Sequence, residues 1–242
     1  MIVVAAGMEK AGTGWYFNMT NDLLISAGHI DIRILREQYR LHSILRHYNC
    51  NVGKPRLTKL MHLLMPHFQG NTFVVKTHEG PTIPLSFCLV NNVAKATYIY
   101  RDPRAVVLSL FEHGKKIREE GRSQSFANLL TIEDAILYVN KRMKVYSGWM
   151  KHEILKVRYE DLKENPIGEL ERLARYLECD LSKSDLEAIN EKYKSTTSKT
   201  VEMSGLHFNK GSSGRFKEVL NPQQLELCQL YFGKFLDEMG YV

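Results

Sequence analysis

Short apolar runs rich in β-branched and aromatic residues alternate along this chain with segments of helical periodicity. The runs predict four strands, at residues 2–6, 72–76, 96–100 and 154–158. Apolar positions at helical spacing follow the first run, precede the second and separate the third from the fourth. Because strands that alternate with helices usually pair in parallel, the pattern predicts a three-layer α/β sandwich with a central parallel sheet.

Several helix starts are marked by a capping residue followed by proline. Proline fits the first helical position because the N–H that it lacks has no partner there in any helix. The pairs are Asp102-Pro103, Asn165-Pro166 and Asn221-Pro222. An apolar stripe predicts a further long helix over 133–151, and residues 194–215, rich in Ser, Thr, Lys and Gly, are predicted to form a surface loop.

Length and composition favour one domain over residues 1–242. With 44% hydrophobic residues, a chain of this size can bury a core that needs neither disulfides nor a structural metal. The four cysteines form no C-x-x-C pair, which argues against a zinc knuckle. No apolar stretch approaches the roughly 20 residues of a membrane span, and no basic segment precedes the first apolar run as in a signal peptide. We expect a soluble, cytoplasmic protein.

The charge balance favours an anionic partner. Lys and Arg number 33 against 27 Asp and Glu, which gives a formal charge of +6 and a pI near 9.0. A nucleotide satisfies this balance as well as a nucleic acid does, so charge alone leaves both open.

A glycine-rich loop, residues 7–14, lies between the first strand and the first helix. Backbone N–H groups in such a loop, together with the helix N-terminus, bind phosphate, and Lys10 would add a full positive charge. The loop is not that of nucleoside triphosphatases, because Gly12-Thr13-Gly14 stands where Gly-Lys-Ser/Thr is required. Taken alone, it could also be an ordinary glycine-rich turn.

Five segments, in order along the chain, resemble the motifs of sulfotransferases that use 3′-phosphoadenosine 5′-phosphosulfate (PAPS). Lys10-Ala11-Gly12-Thr13-Gly14-Trp15 is similar to their Pro-Lys-Ser-Gly-Thr-Thr-Trp loop, and Val75-Lys76-Thr77-His78 to their Lys-Thr/Ser-His strand end. The run from Tyr100 to Ser109 is similar to their Arg-Asp-Pro-Arg-Asp-Val-x-x-Ser, and the run from Val157 to Leu162 to their Tyr-Glu-Asp strand exit. Phe208-Asn209-Lys210-Gly211 with Gly214, Phe216 and Lys217 is similar to their late Arg-Lys-Gly-x-x-Gly-x-Trp-Lys loop. The resemblance implies the α/β fold of that family, with a topology like that of the P-loop NTPases.

The chain departs from the family pattern at three places. Glu9 stands where the family has the proline before its loop lysine, and Asn209 where it has an arginine for the 3′-phosphate of the donor. Where the family's dimer motif runs Lys, Thr-Val, Glu, this chain has Lys217, Asn221-Pro222 and Glu226. We therefore expect a monomer or a weak homodimer.

The resemblance implies three catalytic residues. His78 would be the general base that takes the proton of the acceptor hydroxyl, a task suited to an ordinary pKa of about 6.5. Lys76 would stabilise charge at the transferred sulfuryl group, and alternation along the strand predicts that it shares a face with His78. Lys10 would neutralise the departing bisphosphate.

The resemblance also implies a set of donor-binding residues. The loop would hold the 5′-phosphate, Arg101 and Ser109 the 3′-phosphate, and the late loop would close over it. The full set is Lys10, Ala11, Gly12, Thr13, Gly14, Trp15, Arg101, Ser109, Tyr159, Lys210 and Gly211. No carboxylate pair or histidine cluster has metal-ligand spacing, so we expect PAPS as donor, no metal, and cations in the place of magnesium.

The acceptor is less defined than the donor. The expected partner is a small-molecule or glycolipid hydroxyl, not a nucleic acid, with pocket walls from loops at 79–90 and 111–130. Residues 33–47 read as a basic amphipathic helix, either a solvated face over an apolar stripe or a peripheral membrane contact. A nucleotide-dependent kinase of similar fold and a non-catalytic nucleotide-binding protein are the alternative functions.

Overall fold

A four-stranded parallel sheet forms the centre of the molecule in the computed structural model, which describes residues 1–122, 125–194 and 214–241. The strands are β1 (Ile2–Gly7), β2 (Phe73–Thr77), β3 (Ala94–Tyr100) and β4 (Leu155–Arg158), in the order β2-β1-β3-β4. Every residue of β1 is buried, and its register aligns Val4 with Val75 and Ala96. The predicted parallel α/β fold is confirmed.

Helices cover both faces of the sheet. They are α1 (Thr13–Ser26), α2 (Ile32–Gln38), α3 (Leu57–Phe68), α4 (Ile83–Val90), α5 (Pro103–Glu119), α6 (Ile132–Trp149), α7 (Tyr159–Glu164), α8 (Pro166–Leu177), α9 (Lys183–Lys194), α10 (Phe216–Val219) and α11 (Pro222–Glu238). The helices α1, α8 and α9 pack against one another. Separately, α3 packs against α4, and both α5 and α6 pack against α11. In the sheet, the chain moves in one direction from β1 to β2 and in the opposite direction from β2 to β3. Right-handed crossover connections therefore place α1 and α4 on opposite faces of the sheet.

The predicted helix caps are present. The side chains of Asp102, Asn165 and Asn221 each accept a hydrogen bond from a backbone N–H in the first turn of α5, α8 and α11. The helix α9 was not predicted, although Ser182 and Asp185 form reciprocal hydrogen bonds of the capping-box kind at its start. That pair was the sequence signal for this helix.

The expectation of one amphipathic helix over 33–47 is wrong. α2 ends at Gln38, and Arg40 adopts a left-handed conformation with φ 52°. The chain turns there because Leu41 and Leu45 go into the core instead of continuing the helical stripe. Residues 79–90 and 111–130 are also not the loops that we expected, since α4 occupies most of the first range and α5 extends into the second.

No helix of the described ranges combines the length and the apolar character that a transmembrane segment requires.

Candidate active site

The carboxyl edge of the sheet gathers most of the predicted site residues. Parallel strands all end at this edge, and the segments that follow β1, β2, β3 and β4 carry the glycine loop, His78, Arg101 and Tyr159. Residues separated by almost 150 positions in the chain thereby become neighbours.

The glycine loop ends at the start of α1. Gly12 is the N-cap residue, with φ 78°, and the helical hydrogen bonds begin with Tyr16 N–H donating to the Gly12 carbonyl at 3.0 Å. In any α-helix the first N–H groups lie outside the ladder of helical hydrogen bonds. They are the donors that an anion at this helix end would use.

Tyr159 forms the wall behind the glycine loop. Its ring packs edge to face with Trp15, with centroids 6.4 Å apart, and the Arg101 guanidinium carbon lies 4.5 Å from its centroid. A Cβ atom on Gly12 would come within 2.8 Å of the Tyr159 ring. Position 12 therefore requires glycine for two reasons, its left-handed backbone and this close approach.

Gly12→Ala is expected to lower the free energy of unfolding by about 2–4 kcal/mol, from the left-handed conformation together with the contact to Tyr159. Gly28 is the matched control, because it has φ 85° but no atom within 4 Å of the position that an added methyl group would take. Gly28→Ala should cost only the conformational share, about 1 kcal/mol. Urea denaturation measures both, and equal losses would show that the Tyr159 contact is unimportant.

Arg101 and Lys10 bring two cations to the loop. Arg101 is buried, and its Nη1 donates to the Lys10 carbonyl at 3.3 Å. Burial, and then the charge of Arg101, lower the pKa of Lys10 to about 8. An anionic ligand at this place would offset both the burial of the Lys10 charge and its repulsion by Arg101.

His78 is partly buried directly after β2. Its Nδ1 lies 2.9 Å from the Gly7 carbonyl oxygen. Because a carbonyl only accepts, Nδ1 carries the proton and Nε2 of the neutral ring keeps its lone pair. Burial, and then the charge of Lys76, lower the pKa of His78 to about 3 in the free protein, well below the ordinary value of about 6.5 that we expected, so the ring is neutral at neutral pH.

Lys76 is the third cation and lies near the end of β2. It is buried, with 8% of its surface exposed. Burial lowers its pKa to about 8, and the charge of Glu9 partly opposes that shift. The charge of Lys76, after burial, also lowers the pKa of His78.

Arg142 on α6 is a site residue that sequence reasoning missed. Its Nε lies 3.0 Å from a carboxylate oxygen of Glu9, and its guanidinium also donates to the His78 carbonyl. Tyr138 O–H donates to the same Glu9 carboxylate at 3.3 Å. Arg142 thus links the glycine loop to the His78 segment, and the acidic residue in place of proline at position 9 was the sole sequence hint of it.

Ser109 is the predicted donor-binding residue that the described residues do not join to this cluster. Ser109 lies about two turns along α5, and no hydrogen bond among the described residues connects it to the glycine loop. Lys210 and Gly211 lie outside the described residues. Within the ranges described, no three His, Cys, Asp or Glu side chains are grouped as a metal site would need.

A family model described as "sulfotransferase domain" matches residues 2–240 of the chain. Cytosolic sulfotransferase 10 of Arabidopsis thaliana is 26% identical, over 98% of this chain and 79% of its own length. Luciferin sulfotransferase of Photinus pyralis is 24% identical, over 76% of this chain, which spans about half of that protein (53%).

Solved structures share the fold. Retinol dehydratase in complex with androsterone and inactive cofactor PAP superimposes with a TM-score of 0.60 at 16% identity, over 97% of this chain and 80% of that one. A mouse sulfotransferase complexed with PAP gives a TM-score of 0.59 at 15% identity, over 98% and 88%. With a family model that matches nearly its whole length, the chain belongs to the sulfotransferase family.

Proposed function

We propose that this sulfotransferase moves the sulfuryl group of PAPS to the hydroxyl of a small-molecule or glycolipid acceptor, with His78 as general base. The observation that carries the proposal is the hydrogen bond from His78 Nδ1 to Gly7, which leaves the Nε2 lone pair available on a ring that lies near the Lys76 charge. A base that is neutral and oriented, next to positive charge for the leaving group, is what sulfuryl transfer to a hydroxyl needs.

The site residues fit a nucleotide donor. Gly12 lets the loop backbone pack directly against Tyr159, and the start of α1 offers N–H donors. Lys10, Lys76 and Arg101 supply positive charge with little exposure to water, where charge-assisted hydrogen bonds are strong. When bound, PAPS supplies the sulfuryl group and leaves as the 3′,5′-bisphosphate.

The roles proposed for the site residues are those that the resemblance to the family implies. The loop, Ala11 to Trp15, would hold the 5′-phosphate; Arg101 with Ser109, and Lys210 with Gly211, would hold the 3′-phosphate. Lys10 would neutralise the leaving phosphate and Lys76 the sulfuryl oxygens. His78 Nε2 would take the hydroxyl proton as the new O–S bond forms, and the Gly7 carbonyl would hold the resulting imidazolium through Nδ1–H.

The proposal also covers the class of acceptor, the cellular location and the domain organisation. The retinol dehydratase structures contain androsterone or retinol, which are small molecules with hydroxyl groups, and this supports a small-molecule acceptor here. A relative named as cytosolic supports a cytoplasmic location. We further propose a single domain over 1–242, since the described helices and strands share one hydrophobic core.

Incubation of the chain with labelled PAPS and a panel of phenols, sterols, sugars and glycolipids tests the proposal. Mass spectrometry should detect a sulfated product, and a chelator should leave the rate unchanged, because cationic side chains take the part of magnesium. Magnesium-dependent transfer of phosphate from ATP would favour a kinase instead. Binding of the bisphosphate without transfer to any acceptor would favour a non-catalytic nucleotide-binding protein.

A further inference from the structure

The helices α3 and α4 expose a continuous apolar face. On α3 the exposed apolar residues recur at every third or fourth position, as do those on α4. They are Leu57, Met61, Met65 and Phe68 on α3, and Ile83, Phe87 and Val90 on α4, with between 56% and 88% of each exposed. Apolar side chains exposed singly are common, but seven on two adjacent helices mark an interaction surface.

The two stripes point to the same side of the molecule. α3 packs against α4 and β1, and α4 packs against β3, the neighbour of β1 in the sheet. Each helix buries the face opposite its stripe, through Leu60 and Leu63 on α3 and Leu85 on α4. The stripes therefore both face away from the sheet. We call these seven side chains the α3–α4 face.

This face begins at the edge of the sheet that carries the candidate active site. Thr82, the N-cap of α4, donates a hydrogen bond to the Pro55 carbonyl at 2.5 Å, just before α3 begins. The first turns of both helices thus lie side by side. Thr82 follows His78 by four residues, so the apolar face starts close to the proposed base.

Basic residues adjoin the same end of the face. Arg46 and Arg56 are exposed, and their charges, after burial, lower the pKa of Lys59, so the three cations lie close together. In the sequence, Glu79 is the one acidic residue between positions 38 and 101. The surroundings of the apolar face are therefore positively charged.

We propose that the α3–α4 face docks on an anionic lipid surface. Apolar side chains flanked by cations are the combination that binds at the interface of a bilayer with acidic headgroups. Acidic headgroups complement these cations, whereas a second copy of the chain bears the same positive charge and offers no such complement. Docking would present the cleft around His78 to acceptors held in the membrane.

Cosedimentation with vesicles of phosphatidylcholine, with and without phosphatidylglycerol, tests this proposal without any measurement of sulfuryl transfer. The protein should bind vesicles that contain phosphatidylglycerol, and less tightly at high salt. The double variant Phe68→Ser/Phe87→Ser should bind at least about tenfold more weakly. The double variant Arg46→Glu/Arg56→Glu should lose the preference for the anionic lipid.

Leu230→Ser is the matched control, because Leu230 is 75% exposed on α11, outside the α3–α4 face. Its vesicle binding should equal that of the unaltered chain. The serine variants should fold, since the replaced side chains lie largely in water. No binding to anionic vesicles, equal binding by the Phe68→Ser/Phe87→Ser variant, or a dimer that this variant dissociates would each overturn the proposal.

Discussion

His78→Ala is expected to lower kcat by about 100-fold or more, the loss typical of removing a general base, while the affinity for the bisphosphate stays within a few-fold. A loss of this size corresponds to about 2.7 kcal/mol of transition-state stabilisation. The expectation rests on the hydrogen bond that presents Nε2 with its lone pair. Steady-state kinetics with the best acceptor, together with titration of the bisphosphate, separates chemistry from binding.

His42→Ala is the control for this variant. His42 is exposed and pairs with Glu37 at 3.0 Å, on the 3-10 turn 41–43. Its removal should leave kcat unchanged. Near-normal turnover by His78→Ala would show that another group takes the proton.

The pH dependence gives a second, independent readout on His78. The free protein holds the pKa of this ring at about 3, because burial and the Lys76 charge disfavour the imidazolium. Protonation removes the lone pair, so kcat/KM for the donor, which reports the free enzyme, should not fall between pH 7.5 and pH 5.5 on account of His78. An acid limb near the ordinary histidine pKa of about 6.5 would contradict this environment for His78.

The predicted fold succeeded where several local signals agreed. A cap before proline sets the starts of α5, α8 and α11 independently of anything distant in the chain. The buried strands were also predicted from local sequence, because a short apolar run between turn residues fits few other structures. The 33–47 segment failed since its apolar residues Leu41 and Leu45 suit a helical stripe and a buried turn alike.

The site shows the same division between local and tertiary information. The order of the motifs sufficed to bring His78, Arg101 and Tyr159 to one edge, because parallel strands end together. Arg142 escaped notice because its partners Glu9 and His78 lie more than 60 residues away, and no periodicity encodes such a contact. The sequence likewise did not predict that the α3–α4 face is exposed, since spacing alone does not say which stripe of a helix is covered.

Arg101→Ala is expected to abolish most of the preference for a nucleotide that carries a 3′-phosphate. In the unaltered chain, 3′-phosphoadenosine 5′-phosphate should bind at least about 100-fold tighter than AMP. The proposed contacts of Arg101 and Ser109 with the 3′-phosphate are charge-assisted hydrogen bonds of about 1.5–3 kcal/mol each, and each 1.4 kcal/mol is tenfold in affinity. Arg101 is buried against Tyr159, so its charge and its planar fork are held in place before any ligand arrives.

Affinities for AMP reveal whether the substitution damages the loop instead of the phosphate contact. Arg101 Nη1 also donates to the Lys10 carbonyl, and loss of that bond would weaken both nucleotides equally. We expect AMP to bind the variant almost as before, and Arg175→Ala, an exposed substitution on α8, to change neither nucleotide. Isothermal titration of each protein with each nucleotide gives the result. Equal affinities for the two nucleotides in the unaltered chain would contradict the donor site itself, because only a contact to the 3′-phosphate separates PAPS from the other adenine nucleotides.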